Sequence, residues 1–371
     1  MTAMTKASVA HDRRGSADPL RMLWLSPLMR PLARVQAERL RGLGIDVLLV
    51  TTDQHPESDT ARDYELVLEP GFRTASTWPA ALAAQRRIRK YRPDIVIAES
   101  VRDPRWIALA GRAPRIQLVH DERRDDGRRR KALARALFDK WGGRSAATVT
   151  YSNFAAIAVA ARHDVVGTDV HVVPLCSDLE PALVPPFVGP EDRRDFVVAG
   201  RMNSHKNIDV VLEAWQRHVD GGNWRGDELL LIGVGPLTIR TLPAYVRWRP
   251  GSYRYADVVT TLAAAKGSVA HYRNASQSGV QMLSMQLGVM PIVSSAGGLA
   301  EYQPPGFPPV GVDDVAGLAA AFDDLADPLT ATLRGGAAAR HYADSYAVDH
   351  AVDGLLEVLT EVTGRTGKAQ T

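Results

Sequence analysis

Two cations five residues apart open the chemical reading of this chain. In Ala199–Trp215, AGRMNSHKNIDVVLEAW, Arg201 and Lys206 lie between an apolar run and an amphipathic stretch. Gly200 allows a tight turn before them. A strand that ends in such a loop and feeds a helix offers free backbone N–H groups, a positive helix end and two mobile cations. That set suits a diphosphate. Taken alone, the same spacing also fits two solvated surface cations. A second segment, His271–Glu301, reads HYRNASQSGVQMLSMQLGVMPIVSSAGGLAE. Its small polar run, Asn274–Ser278, opens an apolar helix. Ser276, Gln277 and Ser278 can cap that helix, and Gly279 lets a ligand approach the backbone closely. An ordinary capped helix reads the same way. Gly297-Gly298 adds a turn after the strand Pro291–Ser295. Gly233-Val234-Gly235-Pro236 lacks the G-x-G-x-x-G spacing of a dinucleotide site.

The elements that must position these residues alternate. Leu20–Pro27 and Gly44–Thr51 read as strands with a helix over Arg34–Leu43 between them. Thr77–Tyr91 is helical and Pro93–Ala98 strand. Arg115–Val119 is strand, Lys131–Trp141 helical and Thr148–Tyr151 strand. Asn153–Arg162 is helical and Val170–Pro174 strand. Prolines 174, 181, 185, 186 and 190 then punctuate the chain as a linker. Alternation resumes from Asp195 and closes in three helical stretches, Val315–Leu325, Pro328–Tyr342 and Val348–Val362. Such alternation means βαβ units and parallel sheets. The expected layout is two doubly wound Rossmann-like domains: a tail over 1–19, domains over 20–180 and 194–345, a linker at 181–193 and a closing helix in 346–371. Ligands then belong in loops at the carboxyl ends of strands.

Composition narrows the classes. The chain has 371 residues, is 45% apolar and 23% charged, and carries a formal net charge of +3. That describes a folded, water-soluble protein, and the charge is too small to argue for an anionic partner; a nucleic-acid reading also lacks interleaved aromatics and a known module. One cysteine, Cys176, excludes a disulfide framework and a cysteine-based zinc site, and fits a reducing cytoplasm. The ten histidines show no ligand pairing, so no metal is expected. No G-x-S-x-G motif appears. Met1–Pro19 has no apolar core of a secretory signal, and no run is long enough to span a bilayer.

The order of the pieces resembles glycosyltransferase family 4, the group 1 retaining enzymes of the GT-B fold. The resemblance rests on AGRMNSHKNIDVVLEAW, LLLIGVGP, the polar helix start, a Gly-x-x-Pro strand and a GG-x-x-E loop. The first half carries looser counterparts: LRMLWLSP, PDIVIAE, QLVHDE, YSNF and VHVVPLCSD. The resemblance implies two facing domains with a C-terminal crossover helix, and sugar transfer from a nucleotide-diphosphate sugar with retention, without a metal or other cofactor. It implies that Arg201 and Lys206 grip the donor diphosphate and stabilise the leaving group. Ser276, Gln277, Ser278 and Gly279 would present N–H groups to the phosphates. His120 would stand near the reacting carbon with Asp121 beside it. Arg249, Gly251 and Tyr253 would lie beside the nucleotide base.

One departure matters. The family's E-x7-E glutamates fall on Ala275 and Leu283, so Asn274, Ser276, Gln277 or Glu301 must supply the ribose and sugar contacts. The spelling ASQSGV is that of a branch with A-[ST]-Q-S-G-V here. The alternatives are a catalytically impaired GT-B partner subunit and a nucleotide-sugar 2-epimerase. Two basic runs lie in the first half, Arg86–Arg92 and Glu122–Lys131. Arg128, Arg129 and Arg130 are expected to face an anionic or lipid-linked acceptor, or the inner membrane face of a cytoplasmic protein.

Overall fold

A computed structural model describes residues 18–69, 75–101, 104–120, 145–161, 169–235 and 241–364. The first half runs β1 (Arg21–Ser26), α1 (Arg30–Gly42), β2 (Asp46–Thr51), β3 (Glu65–Val67), α2 (Trp78–Tyr91), β4 (Ile95–Glu99), α3 (Pro104–Ala110), β5 (Arg115–Val119), β6 (Ala147–Thr150), α4 (Asn153–Ala160) and β7 (Asp169–Val172). Its strands form one parallel sheet in the order β3-β2-β1-β4-β5-β6-β7. β1 is apolar on both faces because both are covered. Met22 and Trp24 join Leu32, Ala33, Ala37 and Leu40 of α1. Leu23 and Leu25 join Ala84 and Ile88 of α2 and Trp106 of α3. The period of two in the strand thus feeds two separate cores.

The second half runs β8 (Phe196–Ala199), α5 (Ile208–Asp220), β9 (Leu229–Gly233), β10 (Val246–Pro250), α6 (Tyr255–Ala263), β11 (Gly267–Ala270), α7 (Gly279–Gln286), β12 (Pro291–Val293), α8 (Val315–Leu325), α9 (Pro328–Ser345) and α10 (Val348–Thr363). Its parallel sheet has the order β10-β9-β8-β11-β12. Helix α10 returns to the first half and packs on α1, where Asp349 pairs with Arg39. Gly354 of α10 sits against Val173 and Pro174. The proline-rich stretch between the sheets is packed along the second half. Leu179 joins Ala199, Ile232 and Leu283 in one cluster. Buried Arg193 donates to the carbonyls of Ala263 (2.9 Å), Ala265 (2.9 Å) and Gly288 (2.7 Å).

The sequence reading missed β3 and α3 and began α1 at Arg34, four residues late. For α1 and β3 the cause is a buried ion cluster. Arg30, Arg34 and Glu65 are each under 5% exposed. Arg30 and Arg34 donate to Glu65 Oε2 at 3.0 and 2.7 Å, and Arg34 pairs also with Glu65 Oε1 and Asp59. Polar letters therefore occupy core positions, and the apolar pattern starts late. Burial alone would push the Glu65 carboxyl up. The hydrogen bonds from Arg34 and Arg30, with the Arg62 N–H, outweigh it and hold the group below its ordinary range. Its stabilisation is therefore full above the ordinary carboxylate pKa of 4.5 and is lost as pH falls through the lower folded value. Glu65→Ala, which strands two buried guanidiniums, should lower stability by about 3–5 kcal/mol. It should also flatten the acid limb of a urea-midpoint-versus-pH curve. An unchanged midpoint at pH 7 would remove this cluster from the account.

Candidate active site

In open parallel sheets, ligands collect where the strand order reverses, outside the carboxyl ends. The first sheet reverses between β1 and β4, the second between β8 and β11. The loop after β8 carries Arg201 and Lys206. The loop after β11 carries Tyr272–Ser278. β4 ends on Glu99, and His120 follows β5 next to it.

Lys206 closes a short 3-10 turn, Ser204–Lys206, ahead of α5. Its side chain is turned inward, with 7% exposure. Nζ donates to Tyr272 Oη at 2.6 Å and to the Ala199 carbonyl at 3.2 Å, and lies 4.0 Å from the Tyr272 ring centre. Among the described residues no carboxylate lies within ion-pair reach of it. A buried ammonium without a counter-anion is costly, so a site built this way favours a negative ligand. Tyr272 Oη continues to Ser278 Oγ at 3.1 Å. That hydroxyl caps α7 by accepting from Gln281 N at 3.2 Å. The cation and the helix start are thus tied through one tyrosine. Gly279, exposed at the first turn of α7, has open space where a Cβ would stand. Arg201 is exposed, and among the described residues nothing pairs with its side chain.

Glycines bring the loops together by backbone contact. A Cβ on Gly233 would collide with the Gly200 carbonyl, and one on Gly235 with that of Met202. Gly297 and Gly298 stand the same way against the carbonyls of Ala275 and Ser276. The two glycine turns therefore act as floors beneath the cation loop and the helix-start loop.

His120 is 9% exposed at the junction of the halves. Its Nε2 lies 2.7 Å from Glu99 Oε1, and Trp24 Nε1 donates to Glu99 Oε2 at 3.0 Å. From the other half, Gln277 Nε2 donates to His120 Nδ1 at 3.1 Å. The sequence reading singled out His120 and Gln277 but missed Glu99, Trp24 and Tyr272. The available signals were an acid ending the apolar strand PDIVIAE and a tyrosine just past a strand end.

Other assignments fare differently. Glu301 is engaged by the first half. Its carboxylate accepts from Asn153 N (2.8 Å), Asn153 Nδ2 (3.0 Å) and Phe154 N (2.7 Å), capping α4 of the first half. Those helix-start donors need an acceptor, and Glu301 supplies it. Ser152 Oγ adds a 2.9 Å bond to the Ser276 carbonyl beside it. Leu283 is buried in the core, so a hydrophobic contact stands at the second glutamate position. Arg249, Gly251 and Tyr253 sit at the same sheet edge, two strands from β8. Arg249 is exposed and donates to the Asp257 carbonyl at 3.3 Å, and Tyr253 is half-buried. The expectations for Asp121, Arg128, Arg129, Arg130 and the helix at 131–141 fall outside the described residues, as does most of the 1–19 tail. The other basic run lies on α2, which buries Ala84 and Ile88 and exposes Arg86, Arg87, Arg89 and Lys90. Among the described residues, no three His, Cys, Asp or Glu side chains group as metal ligands. No described helix is long and apolar enough to cross a membrane.

Residues 32–181 match Glycosyltransferase Family 4, and residues 193–328 match Glycosyl transferases group 1. The chain belongs to the group 1 glycosyltransferases of family 4. Family and fold together support glycosyl transfer from a nucleotide sugar. No curated protein matches the chain by sequence. Among solved structures, a glycosyltransferase from Rickettsia africae aligns at 15% identity and TM-score 0.64, over 93% of this chain and 98% of that one. Sucrose-phosphate synthase from Thermosynechococcus elongatus aligns at 14% and 0.67, over 93% and 99%. An alpha,alpha-trehalose-phosphate synthase (UDP-forming) from Burkholderia vietnamiensis aligns at 13% and 0.65, over 92% and 100%. At these identities the likeness is one of fold, and that fold is GT-B.

Gly297→Ala would place a methyl against the Ala275 carbonyl at a backbone angle, φ +58°, that disfavours an L side chain. The helix-start loop should shift, with a loss of about 1–3 kcal/mol in stability. Nucleoside-diphosphate affinity measured by calorimetry should weaken at least tenfold. Unchanged affinity would separate this loop from the donor site.

Proposed function

We propose that this protein is a metal-independent, retaining hexosyltransferase that moves a sugar from a nucleotide-diphosphate donor to a glycan, glycolipid or small-molecule acceptor. The observation that carries the reading is Lys206, a buried cation lacking a carboxylate partner among the described residues, tied through Tyr272 to the first turn of α7. In this reading the diphosphate lies over Gly279, between Lys206, the exposed Arg201 and the free N–H groups of α7. As the bond from the anomeric carbon to the diphosphate oxygen breaks, negative charge grows on that oxygen. Pre-oriented cations and N–H groups stabilise this charge more than the ground state, which lowers the barrier. The acceptor hydroxyl forms the new bond on the same face, near His120, and its proton passes to the departing diphosphate oxygen. Packing between the halves excludes water and favours transfer over hydrolysis. Because one structural neighbour is a UDP-forming synthase, a UDP-sugar is the first donor to test. Arg249, Gly251 and Tyr253 are the proposed base-side edge. Arg128, Arg129 and Arg130 are the proposed surface toward an anionic or lipid-linked acceptor at the cytoplasmic membrane face.

A second reading is a nucleotide-binding partner subunit without turnover. It is favoured by Leu283, buried where the family carries a glutamate, and by Glu301, already committed to α4. A donor panel with a nucleotide-release assay separates the two. Acceptor-dependent release supports transfer, whereas binding without release from any donor supports the subunit.

The double variant Arg201→Ala, Lys206→Ala should lower kcat/KM by about 10²- to 10⁴-fold, as expected for loss of transition-state charge stabilisation. Near-normal rates would refute the diphosphate assignment. The product's anomeric configuration, read by NMR coupling constants, should match the donor's. Activity should survive chelation by EDTA.

A further inference from the structure

Glu99 is fully buried, and both its oxygens are engaged. An indole N–H can only donate, so Glu99 Oε2 accepts from Trp24. The carboxylate's other partner at hydrogen-bond distance is His120 Nε2, at 2.7 Å. A carboxylate flanked by two donors requires the His120 proton on Nε2, which leaves Nδ1 as the ring's acceptor in the neutral imidazole. Gln277 agrees with that tautomer. Its amide N–H donates to Nδ1 at 3.1 Å, while its Oε1 is buried and without a partner among the described residues. The Nδ1 lone pair is therefore aimed at the helix-start loop of the other half. Nothing in this arrangement requires a bond of Glu99 to substrate. It sits at the end of β4, beneath the histidine, in register with Leu118 of β5, and Trp24 of β1, in register with Ile97, reaches it through the indole.

We propose that Glu99 is the positioning residue for His120, holding its ring in the Nε2–H tautomer so that Nδ1 remains the acceptor for the Gln277 amide of the helix-start loop. The proposal rests on the reading of His120 as a cleft residue of a glycosyltransferase. Trp24 fixes which way the carboxylate serves. Its N–H occupies one oxygen, so the other is left for the imidazole.

This arrangement makes an isosteric substitution informative. In Glu99→Gln the amide oxygen must satisfy the buried Trp24 N–H, which turns the amide nitrogen toward His120. That nitrogen donates, so the ring proton moves to Nδ1 and the Gln277 amide must turn to offer its oxygen. The polarity of the bond that ties the ring to the helix-start loop is reversed with little change in volume. Adding Trp24→Phe removes the indole donor and frees the substituted amide to turn back. The probe is long-range proton–nitrogen NMR of ring-labelled histidine, with steady-state kinetics on the donor that turns over. The wild-type spectrum should show the Nε2–H tautomer, and Glu99→Gln the reversed one. The variant's kcat should fall by about 10²-fold or more, with donor KM within about threefold. Trp24→Phe in that background should restore the wild-type tautomer and at least a tenth of the lost kcat. A Glu99→Gln spectrum with the wild-type tautomer, or a reversed tautomer with unchanged kcat, overturns the proposal. So does a fall in kcat that the second substitution cannot recover while the protein still melts at the wild-type temperature. If wild-type protein turns over no donor, the transferase reading fails separately, because the spectra still decide whether Glu99 sets the tautomer.

Discussion

A lysine ammonium placed inside a protein must be surrounded by oxygen or left to destabilise the fold. Lys206 meets this constraint with one carbonyl, one phenol and one aromatic face, and with no carboxylate among the described residues. Much of the second half is arranged around that choice. Gly200 sits 3.2 Å from Nζ at its would-be Cβ, so the turn leaves room for the ammonium. Gly233 and Gly235 press the neighbouring backbone against the cation loop. Tyr272 hands the contact on to Ser278, and so to the first turn of α7. A carboxylate partner would have neutralised the cation internally. Its replacement by neutral oxygens leaves the charge available to an anionic ligand, where low local polarity strengthens the attraction.

The two halves meet through the same loops. Ser152 reaches the Ser276 carbonyl, Gln277 reaches His120, and Glu301 caps α4. Tyr255, at the start of α6, is held by Glu57 through its N–H and by Asp178 through its hydroxyl. These polar bonds sit beside apolar packing, because one buried cluster takes in Trp24 and Leu40 of the first half, Leu175 and Cys176, Trp215 of the second half and Leu355 of α10. The helix-start loop is therefore both the proposed phosphate contact and part of the junction. A ligand on that loop would act on the junction without any relay between distant sites.

The resemblance and the family matches agree on the GT-B class, and the strand periodicity placed most elements within a few residues. The misses at α1 and β3 share one cause. Arg30, Arg34 and Glu65 occupy buried positions as a charge cluster, so α1 read short and β3 did not read at all. At the site, Arg201, Lys206 and the ASQSG loop stood out because glycine, cation and small polar residues cluster in linear order. Glu99 did not. It lies 21 positions before His120, and no local pattern joins an acid closing one strand to a histidine following the next.

Sequence alone determined what local spacing encodes: alternating parallel strands and helices, the loops that follow them, and the residue types those loops carry. Tertiary structure decided which residues share a charge and which share a proton. It placed Lys206 against Tyr272, seated His120 between Glu99 and Gln277, and spent Glu301 on a helix end of the opposite half. The physical reason is reach. Backbone periodicity acts over neighbouring residues, whereas hydrogen-bond satisfaction and burial depend on atoms brought together by packing, whatever their separation along the chain.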